Sequence, residues 1–332
     1  MRAATTARDR LHEFEHSNWR SWGQLAQTTG GLAGSWLLTA VAMHVSIWLG
    51  ALASLAIAVF LVRAFILFHD CGHGSFSSSR RANGRVGSFL GVLVFTPYRR
   101  WTRDHARHHA TVGDLDRRGS GDVWMMTVEE FLAAPARTRR WYRVYHHSAF
   151  IASIGPVLKF LFFERLSTGC AKHDPRIRRE VRLTNLAIVG YVAMMTVAMG
   201  PVHFVVAQLV ALAAAGIPAV CLFYAQHYFE GTYWRRHAEW DYVEASLAGS
   251  SRIMLPRFLQ WVTGNIGYHH VHHLAPRIPN YLLPEAQAAC PDLQAGCTLT
   301  LRTVFSVPRT NLWDEDKSCY VTFAEAECSP AA

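Results

Sequence analysis

The chain has 332 residues, 51% of them hydrophobic and 17% charged, with a net charge of +9, a composition more apolar than that of a soluble protein of this length. The positive charge fits polar loops held against anionic lipid, and without aromatic residues interleaved for base stacking it excludes nucleic acid as a partner. Seven scattered cysteines with no Cys-x-x-Cys pair exclude a zinc knuckle and a disulfide framework.

At the amino end, Met1 to Arg20 is charged and lacks the apolar core of a cleavable signal. It holds His12-Glu13-Phe14-Glu15-His16, a literal His-Glu-x-x-His zinc pattern. No third ligand lies nearby, so a membrane metalloprotease stays a remote alternative. Next, Gly30 to Val62 contains no Asp, Glu, Lys or Arg, and the same is true of Leu183 to Phe229. About 20 helical residues rise roughly 30 Å and cross the hydrocarbon core, so each stretch predicts two spans. The first hairpin is expected over 25–68, turning at Ile47 to Gly50, and the second over 183–225, turning at Gly200-Pro201-Val202.

Two further apolar patches are too short to span. Val86 to Tyr98 is read as interfacial or re-entrant, and Leu158 to Arg165 as lying along the membrane surface. The whole chain, 1–332, is then one all-α integral-membrane domain with four transmembrane helices and a helical cap, formed by 69–182 and 226–332. Neither hairpin turn carries Lys or Arg. The positive-inside rule therefore puts both termini and the cap in the cytoplasm. Arg63 is expected to snorkel or to pair with a cap carboxylate, and Trp313 and Phe323 to pack in a tail that frays after Glu327.

The chemistry lies in the histidines, of which there are 18. His69 and His73 close the second span; His105, His108 and His109 follow; His269, His272 and His273 repeat that spacing after the fourth span. Spacings of three and four return to one helical face, and an even number of intervening spans brings every cluster to the same side. His227 ends the fourth span at the depth of His69. Nine imidazoles are too many for one ion and suit two. Imidazole alone leaves iron, copper, zinc and nickel open, whereas attack on a C–H bond by dioxygen requires a redox-active metal. Asp70, Asp104 and Asn265 are candidates to hold the free ring nitrogens, Asp104 and Asn265 foremost. His12, His16, His173 and His237 are read as solvated, His44 and His203 as lying near the far face, and His146, His147 and His270 as outside the metal set.

These boxes, His-x-x-x-His and two His-x-x-His-His, resemble those of the membrane fatty acid desaturase family. The segments His69 to Phe76, Gly113 to Gly119, Glu239 to Tyr242, and Thr263 to His273 followed by Pro276 to Tyr281 look like its bacterial and cyanobacterial omega-6 or delta-12 subgroup. The resemblance implies a cytoplasmic cap with a non-haem di-iron site whose ligand positions match the nine histidines. It also implies dioxygen as co-substrate, a lipid-linked or carrier-linked fatty acyl substrate, and an external donor of the ferredoxin or cytochrome b5 type. The chain departs from the pattern at Phe68, where a Gln is expected, and at His146-His147-Ser148 in place of Arg-Asn-Pro. Arg99, Arg100 and Arg103 are read as basic residues able to meet a phosphate or an acidic carrier. A hydroxylase, acetylenase or ketolase on the same scaffold is the nearest alternative. A metal transporter is remote, because its ligands belong near the bilayer midplane.

Overall fold

The computed structural model describes residues 11, 13–119, 121–167, 172–304 and 312–328. In chain order the helices used below are α1 (Asn18–Val45), α2 (Ile47–His73), α3 (Arg80–Leu93), α4 (Tyr98–Thr111), α5 (Ala136–Tyr145), α6 (Ile154–Leu161), α7 (Pro175–Met199), α8 (Pro201–His227), α9 (Arg257–Val262) and α10 (His269–Leu274). Among the described residues strand is confined to two pairs, parallel Arg252–Met254 with Thr298–Thr300 and antiparallel Leu312–Asp314 with Cys319–Val321. The architecture is that of an all-α membrane protein.

Helix ends follow local chemistry. The break between α1 and α2 falls at Ser46, just before the expected turn, because the Ser46 hydroxyl accepts the Trp48 amide at 3.3 Å and starts α2. Gly74, in the left-handed region at φ 71°, stops α2 directly after His73. The second hairpin breaks where expected, at Gly200 (φ 81°) with Pro201 in the first helical position. However, α7 begins at Pro175 rather than near Leu183, since the Asp174 carboxylate caps it by accepting the Arg176 amide at 2.9 Å.

Among the described residues three helices, α2, α7 and α8, are long and apolar enough to cross a membrane. α1, expected as a fourth span, is less apolar in composition; it turns Ser21, Thr28, Ser35 and Thr39 inward while exposing Leu37, Leu38, Val41 and Val45. Small and polar residues inside with large aliphatic ones outside is the pattern of a helix packed in lipid. α8 supplies the complementary small face: Ala207, Ala211 and Ala215 recur every fourth residue in a cluster with Leu32, Trp36, Ile57 and Leu61. The patch from Val86 splits. Its first part completes α3, which packs on α2 and α7, and the chain then reverses at Phe95 (φ 57°) into α4. α6 lies against α8.

Beyond the span ends, the cap encloses Tyr224, Tyr228, Trp234 and Trp313 in a second core. Phe323 packs against Phe131 and Tyr142, with Arg143 over its ring. Of the residues expected to fray after Glu327, Cys328 still belongs to a short helix over Phe323–Cys328, and 329–332 lie outside the described residues.

Arg63 does neither thing expected of it. It is 5% exposed, donates to the Trp261 carbonyl and to Gln27 Oε1 at 3.2 Å, and stacks over the Trp261 ring at 4.2 Å. A guanidinium inside a span thus finds its acceptors in the neighbouring α1 and in α9, clamping α9 to the bundle. Replacing Arg63 with Leu strips acceptors of a buried donor, at a cost of about 1–3 kcal/mol. Thermal unfolding in detergent should show the midpoint lowered, and an unchanged midpoint would count against the clamp.

Candidate metal centre

Each histidine cluster is delivered by a helix end. α2 stops at His73, α4 carries His105, His108 and His109 in its last two turns, α8 ends at His227, and α10 holds His269, His272 and His273. The turn into α10 is made by Gly264 (φ 51°) and Asn265 (φ 57°). A Cβ on Gly264 would meet Ile66 at 2.5 Å, so this close approach of the turn to α2 requires glycine.

The nine imidazoles form two adjoining groups. His69, His73, His105, His109 and His272 make one; His108, His227, His269 and His273 make the other; within each, the possible ligand atoms lie within 4.8 Å of one another. The partition follows helical geometry in a way the spacing did not show. Members four apart stay together, as in His69 with His73, His105 with His109, and His269 with His273. Members three apart divide, so that His108 leaves His105 and His272 leaves His269. The groups touch where His109 stacks on His273, with ring centroids 4.1 Å apart.

The donor set fits cations. Nε2 atoms approach one another head-on: His269 to His227 at 2.9 Å, His272 to His109 at 3.0 Å, His273 to His269 at 3.1 Å and His108 to His227 at 3.2 Å. Two neutral imidazoles share at most one proton, and a ring engaged on two sides leaves lone pairs facing one another. Burial holds His105, His109, His269, His272 and His273 well below the usual histidine range, so they are neutral and present those lone pairs. An ion at each focus would convert this repulsion into coordination. All-imidazole donors suit iron, copper, zinc and nickel.

Outer contacts orient some rings. His108 Nδ1 pairs with Asp122 Oδ1, and Asp122 Oδ2 in turn accepts the Gly119 amide at 2.8 Å. His227 Nδ1 donates to the Gly249 carbonyl at 3.1 Å. Asp122 was not anticipated: it sits in a loop 14 residues from its partner and shares no helical spacing with it. Its placement depends on Gly121, at φ 81°, whose Cβ would stand 2.6 Å from the Asp104 carbonyl. The anticipated partners go elsewhere. Asp104 faces Arg100 at 3.8 Å, and burial raises its carboxyl. Asn265 donates from Nδ2 to the Asn280 carbonyl at 3.1 Å. Asp70 comes nearest, with Oδ1 3.6 Å from His69 Nδ1, while its Oδ2 accepts from the Asn280 amide at 3.1 Å and from Asn280 Nδ2 at 2.8 Å.

The remaining histidines stay outside both groups. His270 Nε2 is held by Gln287 Oε1 at 2.7 Å. His44 and His203 meet edge to face at 6.3 Å near the hairpin turns. His16 Nε2 accepts the Ser78 amide at 2.9 Å, and His12 of the same zinc-like pattern lies outside the described residues. His173 is exposed. His237 is exposed, as expected, and pairs with Asp114 at 2.8 Å, while His146 is buried between the Trp124 carbonyl at 2.6 Å and the Tyr224 hydroxyl at 3.0 Å.

A cavity of about 290 Å³ opens on the centre. His69, His105 and His269 form part of its wall; Leu61, Val62, Leu212, Ala215 and Gly216 continue it between α2 and α8; Arg100, Asp104, Lys159 and Glu164 form a polar stretch. Its mostly apolar lining suits an apolar ligand brought up to the histidines.

Comparison with known proteins agrees with this geometry. A model of the family described as fatty acid desaturase matches residues 46–300. The chain is 40% identical to a fatty acid desaturase of Bacillus subtilis, covering 93% of this chain and 87% of that protein. It is 25% identical to an sn-1 oleoyl-lipid 12-desaturase of Synechocystis, covering 81% and 75%. With a chloroplastic omega-3 fatty acid desaturase of Sesamum indicum it shares 28% identity over 85% of its own length and 64% of the plant protein. Histidine foci at the ends of apolar helices, a cavity leading to them, and these matches over most of the sequence place the chain in the fatty acid desaturase family.

Proposed function

We propose that this chain inserts a cis double bond into a long-chain fatty acyl group, in the omega-6 or delta-12 manner, using dioxygen and two irons. The nine histidines His69, His73, His105, His108, His109, His227, His269, His272 and His273 would hold those irons. The observation that carries the reading is the junction of two all-histidine foci with an apolar cavity running back between membrane helices. The distant resemblance to a 12-desaturase supports the position of the double bond. Relatives with ferredoxin in their names support an external donor of that kind, a cytochrome b5-type protein being the alternative donor. The site and both termini are placed on the cytoplasmic side of a bacterial inner membrane, with all four long helices spanning, because basic residues crowd the cap and avoid the hairpin turns.

In the overall reaction two neighbouring methylenes each lose one hydrogen. Those two hydrogens, together with dioxygen, two electrons from the donor and two protons, leave as two waters. Bound irons supply the activation of dioxygen that breaking such C–H bonds demands. The chain's own residues do the rest. Phe65, Val220, Leu222 and Phe223 line the cavity beside the histidines, excluding water and holding the chain in reach. Buried methylenes contribute about 0.8 kcal/mol each, so the apolar wall supplies most of the affinity. Asp122 fixes the His108 ring with Nδ1 protonated and Nε2 free to coordinate.

The test is to supply purified protein with a defined saturated or monounsaturated acyl lipid, reductant and dioxygen, and to analyse the product by mass spectrometry. A cis olefin formed with iron and lost on chelation is expected. A hydroxylated chain, or full activity with zinc alone, would refute the proposal. Asp122→Asn retains the shape but loses the carboxylate, and metal affinity should fall by about 10–100-fold, as read by chelator competition. Gly121→Ala should match it, because the new methyl group displaces the loop that carries Asp122.

A further inference from the structure

Eight of the nine clustered imidazoles are buried, and His73 alone is partly exposed. It is absent from the wall of the acyl cavity, to which His69, His105 and His269 contribute. Solvent and acyl chain therefore reach the centre at different points.

The surface beside His73 is basic. α2 ends against α4, where a Cβ on Gly72 would meet Thr102 Oγ1 at 3.3 Å. From Thr102 the surface of α4 turns outward through Arg99, Arg103, Ala106, Arg107 and Ala110, all exposed and all on one helical face. α3 packs on α4 and adds the exposed Arg80 and Arg81 in its first turn, next to Asn83, whose Nδ2 would lie 3.9 Å from a Cβ on Gly74. Two acids stand nearby among the described residues. Glu180 accepts the Arg99 amide at 3.4 Å, and Asp174 pairs with Arg103 at 3.4 Å. The arginines outnumber them, so the face keeps an excess of positive charge.

The chemistry of this face selects its partner. Its apolar members are alanines, whereas the segment before α7 exposes Phe162 at 54% and Phe163 at 60% in the manner of residues set into lipid. The α4 face thus looks toward water. A basic surface floored by small residues complements an acidic protein and lets it approach the backbone closely. Ala106 and Arg107 are bonded to His105 and His108, one from each histidine group. A protein resting here lies within a helix width of both groups, and electron transfer falls steeply with distance.

We propose that a small acidic one-electron carrier protein docks on this face of α4 and delivers its electron to the centre beside His73. On each visit the carrier gives up one electron and leaves oxidised, and two visits supply the two electrons that the overall reaction consumes. Because the acyl cavity reaches the centre elsewhere, the carrier can dock with the substrate in place. The inference rests on the desaturase reading above and adds where its donor enters.

The test uses the full-length iron-loaded protein in nanodiscs of zwitterionic lipid, with a reduced plant-type ferredoxin as the acidic probe. Binding is read by biolayer interferometry over a salt series, and reoxidation of the ferredoxin by the oxidised irons by anaerobic stopped flow. Ala106→Glu alters one exposed position, and Arg81→Glu combined with Arg107→Glu reverses two charges. Each should weaken binding about tenfold at low salt and slow ferredoxin reoxidation, while reduction by dithionite proceeds as in the wild type. Rising salt should weaken the wild type more than either variant. Reversing Arg137 and Arg140 on α5, elsewhere in the cap, should change neither reading. Unchanged ferredoxin binding in the α4 variants, or equal losses from the α5 reversals, overturns the docking face. Variants that lose affinity for vesicles of anionic lipid while keeping that for ferredoxin overturn the choice of a protein partner. If no acyl chain is oxidised, the desaturase reading fails, while ferredoxin binding and reoxidation still decide the docking site.

Discussion

The structure is organised around imidazoles packed with their ring nitrogens facing one another. Nine such rings form two foci with Nε2 atoms at hydrogen-bond distance, an arrangement that cannot satisfy every nitrogen with protons alone. Nδ1 of His69, His109, His269 and His273 has no hydrogen-bond partner among the described residues. Unmet polar groups on this scale are unfavourable in a protein interior. A bound ion at each focus would relieve that cost by turning the facing lone pairs into ligands.

The membrane helices make this convergence possible. α2 and α8 run side by side, and each ends at a ligand-bearing residue, so the lipid-embedded hairpins act as rigid posts for His69, His73 and His227. Gly74, the left-handed turn at Gly264 and Asn265, and the Asp70 contact with Asn280 then bring α10 back over the span ends. The same packing leaves the space between α2 and α8 that becomes the cavity. Site and substrate channel are thus two results of one helix pairing.

How much of this could be read from the sequence depends on the range of the interaction. The charge-free stretches, the Gly200-Pro201 break and the three histidine boxes are local signals, and the structure places them accordingly. The division of His105 from His108, and of His269 from His272, was not legible, because spacings of three and four are equivalent on paper and differ only when neighbouring helices are present. Asp122 was missed because loops carry no periodicity. Asp104 and Asn265 were favoured for their nearness in sequence, but Arg100 and Asn280 offered them better partners. Arg63 misled for the same reason: its acceptors come from α1 and from α9, almost 200 residues away, at a |i−j| of 198. The first helix was read as a span from its lack of charge, which left its Gly, Ser and Thr content unweighed.

Iron-edge X-ray absorption, combined with metal analysis of the purified protein, bears most directly on the central claim that both foci are metal sites. The account predicts two irons per chain, one for each histidine group, with a nitrogen-dominated first shell and the outer-shell scattering of imidazole. A single iron per chain, or a shell containing sulfur, would contradict it.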